Sequence, residues 1–196
     1  MYAVDVKTAE RVAVAAREIL EKDGVEAVSM RKVAEAVGVT PMAIYRHYEN
    51  REALLRAIAD TCSVELAREW EKRAAAAGDA ETTIMAMLDD FLDFALRRPR
   101  LYTFLMTDRW DDARRFPEDF RDAGSPPFSQ AVAAVAAGMQ EGTLREDDPL
   151  EVTQSFTAQT QGLVQLYLGG RIGLSEEDFR ALCRRALQRV FAGIRA

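Results

Sequence analysis

The chain has 196 residues but only two cysteines and one histidine. Tetrahedral zinc needs three or four clustered ligands, so the lone His47 argues against a zinc site or a histidine-based catalytic centre. Cys62 and Cys183 sit in apolar helical stripes and not at ligand spacing. They read as buried thiols of a reducing compartment, with neither a disulfide framework nor a metal motif around them. No apolar run approaches the roughly 18–20 residues of a membrane span. The opening segment MYAVDVKTAERVAV lacks a charged-then-apolar leader. The expectation is a cytoplasmic protein that does not engage a membrane. Strand-like alternation is missing as well, and GGRIG follows no strand, so it does not read as a phosphate loop.

What is present is helix. Hydrophobic residues make up 48% of the chain and charged residues 30%, an ordinary balance for a globular protein. Apolar residues recur at three-and-four spacing. A first helix is expected from near Thr8, burying Val12, Ala15, Ala16, Ile19 and Leu20 and stopping at Gly24. Ser29 caps a short helix with Met30, Val33, Ala34 and Val37 inward, and Gly38-Val39 breaks it. Thr40 caps the next, with Pro41 in the first turn, where its missing N–H costs nothing. Ile44 and Tyr48 are the inward pair of that helix. Asn50 caps a long helix carrying Leu54, Leu55, Ile58, Cys62, Leu66 and Trp70.

Gly78-Asp79 marks a break, followed by a helix through Ile84, Met87, Leu88, Phe91 and Ala95. Pro99 opens the short segment PRLYTFLM, and DRWDDARRFPEDFRDAGSPP is the one long connector. Helices are expected from Pro126-Pro127 to Glu141-Gly142, from Asp148-Pro149 onward, and from a Ser175/Asp178 capping box onward. The last should carry Phe179, Leu182, Ala186, Val190 and Ile194 on one face. The fold class is therefore all-α: an N-terminal three-helix helix-turn-helix domain over residues 5–66, then a larger helical bundle over 67–196.

The net charge of −6 opposes binding to nucleic acid as a whole. Phosphate contact is made by one face within a Debye length of about 10 Å, however, so distribution matters more than the total. Between residues 29 and 51, Arg31, Lys32, Arg46 and Arg51 stand against Glu35 and Glu49, a local excess of two positive charges.

In that same segment, SMRKVAEAVGVTPMAIYRHYENR, two short helices flank a tight glycine turn. The second shows Pro41, Met42, Ala43, Arg46 and His47 outward while Ile44 turns inward. This is the layout of a helix-turn-helix, which places its second helix in the major groove. Thr40, Tyr45, His47 and Arg51 are candidate phosphate donors, aided by the positive end of a helix dipole. Met42 and Ala43 suit thymine methyls, and Arg46 suits guanine.

The stretch VGVTPMAIYRHYENREALL resembles the TetR family of transcriptional regulators. It matches that family's LGV-like turn, then T-x-x-x-(I/L)-Y-x-H-(F/Y), then a (K/N)-K/R-E-x-L-L helix start. The preceding segment, TAERVAVAAREILEKDGVEAVSMRKVAEAVGV, fits as well. Residue by residue, the resemblance implies phosphate contacts from Ser29, Thr40, Tyr45, His47 and Arg51. It implies base contacts from around Arg31 and from Pro41, Met42, Ala43 and Arg46. Glu49 departs from the basic or neutral residue common there. The resemblance also implies a homodimer on double-stranded operator DNA, with a variable C-terminal domain that dimerises and binds an effector. PRLYTFLM and GLVQLYLGG are similar to segments of the WHG-like subgroup, although Gln161 replaces the histidine often found before the glycine.

Three further features carry competing readings. Asp89, Asp90 and Asp93 spell a DDxxD of the kind that holds magnesium and a diphosphate. A single copy in so short a chain reads better as a solvated helix face. Half of the sixteen aromatic residues fall between Phe91 and Phe128. Most are expected to be core, with Phe91, Phe94, Tyr102, Met106, Trp110, Phe128 and Gln161 as candidate walls of a pocket for a small apolar effector. Broad apolar faces on the last two helices, with Leu163, Leu166, Phe179, Leu182, Val190 and Ile194, suit a two-fold dimer interface, because one helix-turn-helix reads only a half-site. The function expected is an effector-gated dimeric repressor without catalytic residues, cofactor or metal. The rivals are a DNA-binding adaptor controlled by a protein partner and a small helical metal-dependent enzyme.

Overall fold

The computed structural model describes residues 2–74, 78–108, 115–121 and 125–196. Among these residues the chain forms ten α-helices and no strand. They are α1 (Tyr2–Asp23), α2 (Met30–Val37), α3 (Pro41–Tyr45), α4 (Arg51–Ala74), α5 (Ala80–Arg97), α6 (Pro99–Met106), α7 (Glu118–Arg121), α8 (Pro126–Gln140), α9 (Pro149–Leu168) and α10 (Glu176–Ile194). A single 3-10 turn, Val25–Ala27, links α1 to α2. The first helix starts at Tyr2 and not near Thr8, since nothing in YAVDVK breaks a helix. The long connector carries one helical turn, α7. Its segments 109–114 and 122–124 lie outside the described residues, and with them Trp110, Asp111 and Asp112.

Two compact units emerge. The first holds residues 1–62 and 98–113; the second holds 63–97 and 114–196. The chain parts within α4, and α6 falls with the N-terminal helices. In the first unit, α1 packs on α2, on the 3-10 turn and on α6, while α2 packs on α3. Val12, Ala16, Leu20, Val33 and Ile44 are fully buried there. Each large aliphatic side chain so buried contributes roughly 1.5–3 kcal/mol.

In the second unit α8 packs on α5 and α9, and α10 packs on α5 and α9. Gly138 makes the α5–α8 approach possible: a Cβ there would stand 2.8 Å from the Ala80 Cβ and 2.9 Å from the Leu144 Cδ1. The Tyr167 and Phe179 rings stack at 4.0 Å between α9 and α10. On α10 the buried stripe is Phe179, Cys183, Ala186, Leu187 and Phe191. Leu182, Val190 and Ile194, expected on that stripe with Phe179 and Ala186, are only half-buried at its edges.

The caps follow the sequence. Asn50 Oδ1 accepts from the Ala53 N–H at 2.7 Å, and Asp148 Oδ1 accepts from the Leu150 N–H at 2.8 Å. Ser175 accepts from the Asp178 N–H at 3.1 Å, but its hydroxyl also donates to Asp178 Oδ2 at 2.7 Å. In a full capping box the side chain of Asp178 would instead accept from the backbone N–H of Ser175.

Candidate nucleic-acid interface

The segment from Ser29 to Arg51 folds as two short helices about a three-residue turn. Ser29 Oγ accepts from the Lys32 N–H at 3.2 Å, starting α2. Gly38 stops it in the left-handed region, at φ 75°, where a side chain would be strained. The Gly38 and Val39 N–H groups close back on the Ala34 carbonyl at 2.9 and 3.0 Å. Thr40 Oγ1 then accepts from the Ala43 N–H at 3.3 Å, with Pro41 in the first turn of α3. Ile44 is fully buried beneath α3, while Met42 is 68% and Tyr45 48% exposed. Pro41 and Arg46 are exposed beside them, and Ala43 and His47 are half-buried. An exposed methionine and tyrosine bordered by a guanidinium form an amphipathic surface suited to base edges and methyl groups. Arg31 and Ser29, on the entry to α2, are exposed as well.

Polar groups from neighbouring elements hold this pair of helices. Arg11 on α1 donates through Nη2 to the Val37 carbonyl at 2.9 Å. The Tyr48 hydroxyl donates to the Ala9 carbonyl at 3.1 Å. Burial, reinforced by Glu10, pushes the Tyr48 phenol above its ordinary pKa, so it stays a neutral donor. Lys32 pairs with Asp23 at 2.7 Å, and that ammonium holds the Asp23 carboxyl below its ordinary value.

Arg51, grouped by resemblance with the phosphate donors, is turned inward. Its Nε donates to the Val28 carbonyl at 2.7 Å and its Nη2 to the Val25 carbonyl at 2.7 Å. It thus ties the start of α4 to the loop that enters α2. Of the four basic residues counted in this segment, Lys32 and Arg51 are engaged within the protein, and Arg31 and Arg46 remain on the solvent side.

The acidic motif of α5 is an inter-helix seam. Asp89 accepts from Arg184 Nε at 3.0 Å and Nη2 at 2.9 Å. Asp93 lies 2.8 Å from Arg180, and Glu81 on the same helix takes Arg195 at 2.7 Å. The two outer carboxylates of DDxxD therefore bind arginines of α10.

The pocket candidates divide between the units. Phe91, Phe94 and Phe128 are buried in the second unit, with Gln161 half-buried on α9. Tyr102 is buried and Met106 half-buried on α6, in the first unit. The sequence reading missed two other groups of the second unit. Trp70 Nε1 and Gln130 Oε1 are buried and have no hydrogen-bond partner. The signal for Gln130 was legible, as it is the one amide within the run PPFSQAVAAVAAGM; Trp70 read as core because it continues the apolar stripe of α4.

Comparison with known proteins agrees with this geometry. Residues 13–58 match the model for bacterial regulatory proteins of the tetR family. Residues 84–190 match the tetracyclin repressor-like C-terminal domain, and that match lends no support to the WHG-like subgroup. Over 51 residues the chain is 41% identical to the class A tetracycline repressor protein from transposon 1721 of Escherichia coli. That stretch is 26% of this chain and spans about a quarter, 24%, of the repressor. A protein of unknown function from Rhodococcus sp. RHA1 superposes with a TM-score of 0.79 at 23% identity, over 96% of this chain and 95% of that one. The regulator FadR from Bacillus subtilis, solved in complex with stearoyl-CoA, gives 0.76 at 16% identity, over 94% and 98%. A TetR family regulator from Marinobacter aquaeolei VT8 gives 0.73 at 20% identity, over 100% and 99%. At these identities the superpositions establish the fold, while the match over residues 84–190 covers more than half of the chain. The chain belongs to the tetR family of bacterial regulatory proteins: it is a helix-turn-helix transcription regulator and not an enzyme.

Proposed function

We propose that the chain is an effector-gated dimeric repressor that reads a palindromic operator. The DNA-binding region is residues 5–66, and residues 67–196 dimerise and take the effector. The observation that carries the reading is the solvent face of α3, where Met42 and Tyr45 stand exposed beside Pro41 and Arg46 while Ile44 anchors the helix. Exposing a large apolar side chain on a five-residue helix gives no stability, and it makes sense where a groove receives it. Pro41, Met42, Ala43, Arg46 and Arg31 read base edges. Ser29, Thr40, Tyr45 and His47 hold phosphates, and Arg51 sets the angle of the motif from behind.

A second copy docks through α9 and α10. Leu166 is 44% exposed, with Leu163 and Leu182 half-buried, and a Cβ on Gly162 would meet nothing within 4 Å. Two copies set their α3 helices about 34–36 Å apart, on successive major grooves. An effector in the second unit favours a dimer with a different separation. A coupling of 1–3 kcal/mol, typical of allostery, lowers operator affinity about 5–150-fold.

The reading is tested on the duplex immediately upstream of the protein's own gene. Met42→Ala and Tyr45→Phe should each weaken specific binding about tenfold, near the 1–3 kcal/mol of a good base or phosphate contact, with the melting temperature unchanged. Wild-type affinity in both variants would remove α3 from the interface.

A further inference from the structure

Two polar atoms buried in the second unit belong to Trp70 on α4 and to Gln130, whose side chain bonds the same stretch of α4. Gln130 on α8 donates through Nε2 to the Ala67 carbonyl at 2.9 Å, and this leaves its Oε1 buried without a donor. Trp70 stands three residues beyond Ala67, on the same side of α4. It is 8% exposed, and its indole N–H is buried without an acceptor. Buried polar groups are nearly always paired, and leaving one unmet costs about 5- to 150-fold in an equilibrium constant. The two atoms are complementary, one donor and one acceptor. Leu66 and Ala67 are buried beside Trp70 on α4.

We propose that Trp70 and Gln130 form the polar anchor of the effector site. The indole N–H donates to the head group of the ligand, and the amide oxygen of Gln130 accepts from it. The ligand is then neutral and apolar in body, with a donor and an acceptor side by side: an amide, a lactam or an un-ionised hydroxy-carbonyl. Charge argues for neutrality. Among the described residues no lysine or arginine is buried, and the one buried charged side chain of this unit is the acid Asp90. An anionic head would meet no buried cation there. This inference rests on the effector-gated reading above and names the ligand class for it.

The test uses the full-length protein with three matched probes: decanamide, N,N-dimethyldecanamide and decanoate. Calorimetry should show decanamide binding at least tenfold tighter than the other two. The Trp70 indole N–H resonance, identified by its loss in Trp70→Phe, should move downfield on saturation. Gln130→Leu should erase the preference of decanamide over its dimethyl analogue, and Trp70→Phe should weaken both amides alike. Decanoate binding as tightly as decanamide, a preference that survives Gln130→Leu, amide affinities unchanged in Trp70→Phe, or no decanamide binding at all would overturn the anchor. So would an indole resonance already far downfield in the ligand-free protein, because that reports a structural water on the N–H. Operator release separates the two levels of the proposal. If all three probes release DNA equally, effector gating stands and the anchor falls; if decanamide binds with the predicted preference yet never changes operator affinity, the anchor stands and gating falls.

Discussion

Replacing Arg51 with lysine distinguishes a guanidinium that holds the fold from one that holds DNA. Arg51 makes two hydrogen bonds of 2.7 Å to the Val25 and Val28 carbonyls, on the loop that leads into α2. Hydrogen bonds from a charged group are worth about 1.5–3 kcal/mol each. The Arg51 side chain is 32% exposed, so solvent screening reduces each to about 1 kcal/mol. Lysine keeps the charge but presents a single point donor, which cannot bridge two carbonyls from one position. Arg51→Lys should therefore destabilise the protein by about 1 kcal/mol and Arg51→Met by about 2. For a chain of this size that lowers the melting temperature by about 2–4 °C and 4–8 °C respectively. Operator affinity should fall in step with stability, since the entry to α2 is no longer fixed. The decisive assay is the dependence of operator affinity on salt. Each lost phosphate contact flattens the slope of log K against log salt by about 0.9, so in Arg51→Met, which removes the charge, the slope should still match the wild type while the melting temperature drops. An Arg51→Met protein of unchanged melting temperature, with a slope flatter by about one unit, would refute the latch and return Arg51 to the DNA backbone.

Other substitutions probe the second unit. Gly138→Ala gains helix propensity but drives a Cβ to 2.8 Å from the Ala80 Cβ; overpacking should win, with a net loss of about 1–3 kcal/mol in chemical denaturation. Asp89→Asn breaks a surface pair with Arg184, whose side chain is 50% exposed, so it should cost under about 1 kcal/mol. Magnesium should produce no heat with either protein; a magnesium isotherm lost in the variant would revive the metal-site reading of DDxxD. Burial pushes the Cys183 thiol up to about 11 from an ordinary 9, against a smaller opposing effect of Arg180. The unfolded chain thus releases this proton first, and stability falls as pH rises from 9 toward 11. Cys183→Ala should flatten that limb of a stability–pH curve, and an unaltered limb would assign the loss to other groups.

Much of the local structure was legible because it is encoded by neighbours in sequence. Ser29, Thr40, Asn50 and Asp148 cap the helices they precede, and the left-handed Gly38 sits where the periodicity of α2 ends. These signals depend on backbone hydrogen bonds a few residues away, which spacing reveals. Contacts between distant segments were not legible. Nothing in the spacing distinguishes Arg51 reaching back 23 residues to Val28 from Arg46 facing solvent, because both follow the same turn with the same charge. The acidic motif likewise could not declare its partners on α10, where Arg184 lies 95 residues from Asp89. The core stripe of α10 was misplaced by part of a turn, since an amphipathic helix with half-buried edges offers two similar apolar faces. The grouping of α6 with the N-terminal helices also depends on tertiary packing, as PRLYTFLM carries no local mark of its destination.

Selection from sheared genomic DNA by the purified protein tests whether this chain reads a specific DNA sequence as a dimer. One or a few fragments should be enriched and share an inverted repeat with half-sites one helical turn, or a multiple of it, apart. They should bind at about 10⁻⁸ M or tighter, at least 10³-fold better than scrambled duplex. Recovery of fragments without a common sequence, all bound equally and all released together by salt, would contradict that reading.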